Sequence, residues 1–313
     1  MKALWFEEGS AAVRDVPAPE RKAGESLIAL RVAGVCRTDI ELLKGYMRFA
    51  GVPGHEFVGT VMESDDTALA GQRVVGDINV PCGACRACRD GMEKHCPARS
   101  VLGISRRPGC FSELFTLPDA NLHRVPDGVR DYDAVFAEPL AAALRIEEQV
   151  KLARRVLVIG DGKLGLLVAM VLRLSGHQVF LRGHHDKRLD IVHPLGVAAD
   201  PGGVFPAVVD CSGSPEGFAH AVSRSVPQGL LVLKSTFRAT GPVDVAGLVI
   251  NEITLVGSRC GDLARALTWL PRVEVYETLS RMHALAVPFS RAEEAVRIAA
   301  GGKALKVLLD NLG

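Results

Sequence analysis

One segment restricts the fold more than any other. Val156-Leu-Val-Ile is a continuous apolar run, followed by Gly160-Asp-Gly-Lys-Leu-Gly165 and an apolar stretch reaching Leu174. A run of that kind suits a strand buried on both faces, and such a strand belongs to a parallel sheet whose neighbours are reached through crossovers. G-x-G-x-x-G alone is weak evidence, since a glycine turn can merely pack a helix on a sheet. Between a buried strand and an apolar helix, it reads as a turn whose backbone N–H groups and helix terminus hold a pyrophosphate. Gly160, Gly162, Lys163, Leu164 and Gly165 are therefore candidate cofactor contacts.

The same alternation continues. Strands are expected at Gln178-Val-Phe-Leu, Ala207-Val-Val-Asp-Cys, Gly229-Leu-Leu-Val-Leu and Ile253-Thr-Leu-Val, with a helix from Pro215 to Ser225. Val197 to Pro206 leads almost directly into the next strand and has no room for a crossover helix of about a dozen residues. One connection is thus expected to be shortened. Before this region the chain is broken by Gly and Pro as far as about Val135, which suits a β-rich domain. Pro139 marks a helix start. Beyond Leu263 a helix, Arg291 to Ala300, and a last strand, Leu305 to Leu309, are expected to rejoin the first domain. The fold class is α/β, with domains at 1–139, 140–262 and 263–313, the last a return to the first.

With 313 residues, 48% apolar and 23% charged, and a net charge of +1, nothing global attracts nucleic acid or an anionic membrane. Met1 to Ser10 contains Glu7 and Glu8 and does not read as a secretion signal, so a cytoplasmic protein is expected. The apolar stretch Leu164 to Leu174 is interrupted by Arg173 and is too short to span a bilayer.

In that setting the eight cysteines suggest metal rather than disulfides. Cys82, Cys85, Cys88 and Cys96 form C-x-x-C-x-x-C-x7-C, a spacing that wraps one tetrahedral zinc and leaves no open position, hence a structural site. A second set is dispersed: Cys36, His55 with Glu56, and Glu138 before Pro139. A catalytic zinc needs three protein ligands and one open position, which Cys36, His55 and Glu138 can supply. Taken singly, each also suits a plainer role, as a buried thiol, a structural imidazole and a helix-start carboxylate.

The order Cys36-Arg-Thr-Asp, Gly54-His-Glu, the cysteine loop, Ala137-Glu-Pro-Leu-Ala and Gly160-Asp-Gly-Lys-Leu-Gly resembles the medium-chain zinc-dependent alcohol and polyol dehydrogenases over nearly the whole chain. The resemblance implies a GroES-like catalytic domain, a doubly wound Rossmann domain, a catalytic and a structural zinc, and a homodimer or homotetramer. It makes Cys36, His55 and Glu138 ligands, with Glu56 beside the metal. Thr38 becomes the hydroxyl that bonds the substrate oxygen and Asp39 the carboxylate orienting the histidine. Arg37 and Lys306 become contacts to the cofactor pyrophosphate. Many alcohol dehydrogenases have a relay histidine where this chain has Glu41, a pattern similar to glucose- and polyol-type members. Glu41 is the candidate proton acceptor, with a solvated surface carboxylate as the other reading.

For the cofactor, the strand ending at Arg182 places Gly183 where NAD sites carry an acid, and His184, His185, Lys187 and Arg188 follow. Absence of a carboxylate and presence of basic groups favour NADP over NAD. The expected activity is hydride transfer between an alcohol, polyol or sugar-like substrate and NAD(P). Two alternatives stand beside it. One is a zinc-free quinone or enoyl reductase, whose members lack this ligand set. The other is a nicotinamide-binding redox sensor without turnover, kept open by the shortened connection.

Overall fold

A computed structural model describes residues 1–236, 245–282 and 284–312. The chain divides into two units, Met1–Glu138 with Leu267–Pro271 and His283–Gly313, and Pro139–Ala266 with Arg272–Met282.

The first unit is organised around one long strand, Glu25–Val35. Its apolar residues Ile28, Leu30, Val32 and Ala33 are buried, and it pairs antiparallel with Glu56–Glu63, Leu114–Pro118 and Val307–Asp310. Register shifts beside Ile28 and Val32 mark bulges, which bend a strand and let it serve several partners. The core beneath gathers Leu4, Phe6, Phe57, Phe111, Phe115 and Leu117. The expected closing strand is present as Val307–Asp310, and the helix before it spans Ala292–Ala300.

In the second unit six strands run parallel in the order Ala198–Ala199, Gln178–Arg182, Arg155–Ile159, Phe205–Asp210, Ser225–Leu233, Thr254–Gly257. Direction of winding reverses beside Arg155–Ile159, the place where sheets of this kind bind ligands. Helix Lys163–Leu174 is buried continuously from Gly165 to Leu172, as expected of a helix apolar on all sides.

The shortened connection is found between Ala199 and Phe205, but the segment before it contributes an edge strand that the sequence pattern did not reveal, because Ala198–Ala199 is only two residues long. The connection is fastened by charge. Arg224 donates to both oxygens of Asp200 at 2.6 Å and also bonds the Gly203 carbonyl, while Arg182 lies 3.3 Å from Asp200. The Arg224 guanidinium holds the Asp200 carboxyl down at about 2.

The tail divides differently from the expected 263–313. Leu263–Ala266 and Arg272–Met282 stay with the second unit, because helix Val273–Arg281 buries Val275 and Leu279 and packs against helix Asp186–Val192. No helix among the described residues is long and apolar enough to cross a membrane.

Candidate metal and dinucleotide sites

Strand register builds the first site. Gly34 lies opposite Glu56 on one side and Leu308 on the other. One or two residues beyond those pairs, Cys36, His55 and Lys306 are brought to the same end of the sheet. The ligand atoms of Cys36, His55 and Glu56 lie within 4.8 Å of one another. Cys36 then opens helix Arg37–Leu43, whose fully buried Asp39 accepts from the Cys36 backbone N–H at 2.8 Å. The other Asp39 oxygen is 3.3 Å from His55 Nδ1. Thr38 Oγ1 is 3.9 Å from Cys36 Sγ. Burial alone would lower the His55 pKa, but the Asp39 carboxylate and the Cys36 side chain outweigh it and raise it well above the ordinary value.

Two buried charges complete the group. Lys306 is 1% exposed and its ammonium is paired with Glu56 Oε2, above the Phe136 ring. Burial brings the Lys306 pKa down to about 8, against the pull of Cys36 and Asp39. A side chain on Gly34 would collide with Lys306 and come within 2.8 Å of Glu56 Oε2. That glycine is the sequence signal that reading by motif overlooked.

The remaining expected site residues have other neighbours. Lys306 was expected to contact the cofactor pyrophosphate, but it is enclosed and committed to Glu56. Arg37 is exposed and paired with Glu41 at 3.0 Å, one helical turn away. Glu41 is also 3.5 Å from Lys44, which favours its reading as a surface carboxylate over that of a relay. Glu138 is half-buried in the first turn of helix Ala137–Gln149, where the helix dipole favours a carboxylate, and lies outside the Cys36–His55–Glu56 group.

The cysteine loop is a separate and local group. Its sulfurs are 3.4 Å apart for Cys85 and Cys88, 3.7 Å for Cys85 and Cys96, and 4.0 Å for Cys82 and Cys88. A tetrahedron with Zn–S bonds of about 2.3 Å has edges of about 3.8 Å, so the four sulfurs fit one zinc ion. Backbone N–H groups of Ala84 and Cys85 pull the Cys82 thiol down to about 6, whereas burial and the neighbouring sulfurs push Cys88 up to about 12. A bound dication lets all four ionise together. The Cys36–His55–Glu56 donors also fit zinc, through their mixed S, N and O chemistry and the second imidazole nitrogen held toward Asp39.

In the second unit the glycines perform separate tasks. Gly160 has φ +106°, a conformation costly for other residues. A side chain on Gly165 would strike the Gly160 carbonyl, so its absence seats the helix on the turn. Nothing lies within 4 Å of a Cβ built on Gly162, and no side chain caps helix Lys163–Leu174. An open cradle at an uncapped helix N-terminus fits a pyrophosphate. After Gly183, His185 and Arg188 turn toward Asp161 while His184 and Lys187 are exposed.

Known proteins share this sequence pattern and fold. Residues 22–127 match the alcohol dehydrogenase GroES-like domain. The L-threonine 3-dehydrogenase of Streptomyces avermitilis is 30% identical over 99% of both chains. The chain belongs to the medium-chain alcohol and polyol dehydrogenase family. Among solved structures similar to this dehydrogenase is RspB of Escherichia coli CFT073, described as a short chain alcohol dehydrogenase complexed with NADH. It has a TM-score of 0.89 and 25% identity, covering 99% of each chain. A zinc-binding dehydrogenase of Sinorhizobium meliloti 1021 bound to NADP has a TM-score of 0.86 and 25% identity, covering 99% of this dehydrogenase and 98% of that chain. The fold is accordingly GroES-like plus Rossmann, and the chain is an NAD(P)-dependent dehydrogenase of the alcohol and polyol class.

Proposed function

We propose that this dehydrogenase is zinc-dependent, with a catalytic ion at Cys36 and His55 and a structural ion at Cys82, Cys85, Cys88 and Cys96. The observation that carries the reading is the convergence of Cys36, His55 and Glu56 to within 4.8 Å from separate strands. Zinc supplies Lewis acidity toward a substrate hydroxyl, and the nicotinamide supplies a hydride acceptor. The protein's own residues do the rest. Asp39 fixes which imidazole nitrogen of His55 faces the metal. Thr38, two residues from the ligand Cys36, is the hydroxyl that hydrogen-bonds the substrate oxygen. Lys306 neutralises Glu56, so that a carboxylate can be kept in a buried position beside the ion. Glu138 remains the proposed additional carboxylate ligand.

The substrate is a small alcohol, a polyol or a sugar-like molecule. Similarity to a threonine dehydrogenase extends that range to amino alcohols. A strand end without an acid at Gly183 favours NADP; the Asp161 carboxylate next to Gly183 weakens that ground. A homodimer or homotetramer is proposed, with Thr254–Gly257, an edge strand bearing the exposed Leu255, as the place where a second sheet can add.

Metal analysis combined with kinetics tests the reading. Wild type should hold two zinc ions per chain. His55→Ala and Cys36→Ala should hold one and lose roughly a thousandfold in kcat across a panel of alcohols and polyols run with NAD and with NADP. Undiminished turnover, or two zinc ions still bound in either variant, would refute it.

A further inference from the structure

In parallel sheets that bind dinucleotides, the end of the second strand reads the adenosine ribose: a carboxylate there takes the 2′-hydroxyl, and a 2′-phosphate is admitted where that acid is missing. In this chain the residue at that point is Gly183, and the sequence there has no acid. The fold nevertheless delivers one. Asp161, the second residue of the glycine turn, is 5% exposed, and its carboxylate lies against Gly183. A Cβ on residue 183 would collide with the Asp161 side chain and come within 2.5 Å of Oδ2. The two positions therefore constrain each other: Gly183 carries no side chain because Asp161 occupies that space.

The hydrogen bonds of the carboxylate are unevenly shared. Oδ2 accepts from the His185 N–H at 2.8 Å and the His184 N–H at 3.1 Å, and is 3.0 Å from His185 Nδ1. Oδ1 faces Arg188 Nη1 at 3.7 Å, beyond hydrogen-bond distance. An ionised carboxylate has about four lone-pair sites, so Oδ1 keeps capacity for a hydroxyl donor. Three of the basic residues that suggest a phosphate site face acids, Arg182 toward Asp200 and His185 and Arg188 toward Asp161. Arg188 donates to the Asp161 carbonyl at 3.3 Å, and Arg182 is held by Asp200. A phosphate brought here would meet a buried carboxylate of its own sign.

We infer that Asp161 is the specificity-determining residue for the adenosine ribose: a carboxylate supplied by the glycine turn replaces the missing strand-end acid and selects NAD over NADP. This rests on the dinucleotide reading of the turn.

Calorimetric titration of the full chain with ADP-ribose and with 2′-phospho-ADP-ribose tests it without turnover. Wild type should bind ADP-ribose at least about tenfold more tightly. Asp161→Asn should shrink that ratio by about tenfold, chiefly by weakening ADP-ribose. The double variant Asp161→Gly with Gly183→Asp moves the acid to the strand end, relieves the collision, and should restore the preference; it also decides the matter if Asp161→Asn does not fold. Tighter binding of 2′-phospho-ADP-ribose by wild type would overturn the inference. Equal weakening of both ligands by Asp161→Asn would do so too, leaving Asp161 only as an anchor for the turn at 184–185. If wild type binds neither ligand, the dinucleotide reading itself fails and takes the inference with it.

Discussion

Cys82, Cys85, Cys88 and Cys96 come from one short loop, whereas Cys36, His55, Glu56 and Lys306 come from the ends of three strands that meet only when their register is right. The loop can gather its sulfurs with little help from the rest of the chain. The other group depends on a bare Gly34 between two side chains that cross it. A local site tolerates change elsewhere, and an assembled one inherits the exactness of the sheet.

The largest effect should come from Gly34→Ala. Its methyl group displaces Lys306 or Glu56, and separating a buried pair costs about 3–5 kcal/mol. Chemical denaturation should show that loss, and kcat should fall at least about a hundredfold in whatever remains folded. A stable, active variant would remove the assembled site from the comparison. Cys96→Ser should behave oppositely. One zinc ion per chain is lost and residues 82–96 become open to limited proteolysis, while kcat of the folded enzyme stays within about threefold. Loss of both ions would show that the two groups are not independent.

A smaller effect concerns the second unit, where another long-range pair replaces a missing crossover helix. The Asp200 carboxyl is held at about 2, below its unfolded value of 3.8, so between those values the unfolded chain binds more protons. Its contribution is complete above about pH 4 and is lost as pH falls through 2. It amounts to about 2 kcal/mol, and Asp200→Asn should lack this acid-sensitive portion in urea unfolding at pH 2 to 5.

Legibility in the sequence followed the same division. Features set by near neighbours could be read: the cysteine spacing, the glycine turn, the buried strands and the shortened connection. Features set by register could not. Lys306 looks like a surface cation until Val307 is paired with Val35. Asp161 looks like a variable position within a glycine motif until the adjacent strand ends beside it. Glu41 keeps two readings in the sequence for a related reason: position along a helix does not reveal that Arg37 and Lys44 engage it.

The pairing of Lys306 with Glu56 also has a consequence for the order of synthesis. Chains emerge from the ribosome N-terminus first, and domains tend to fold as they are completed. The cysteine loop can close around an ion soon after Cys96 is exposed. Glu56, by contrast, waits without its cation until the second unit has been made and residue 306 has followed it out. During that interval Cys36 and His55 are chemically present but have no finished pocket, so the nascent protein can gather its four cysteine sulfurs long before it can become an enzyme.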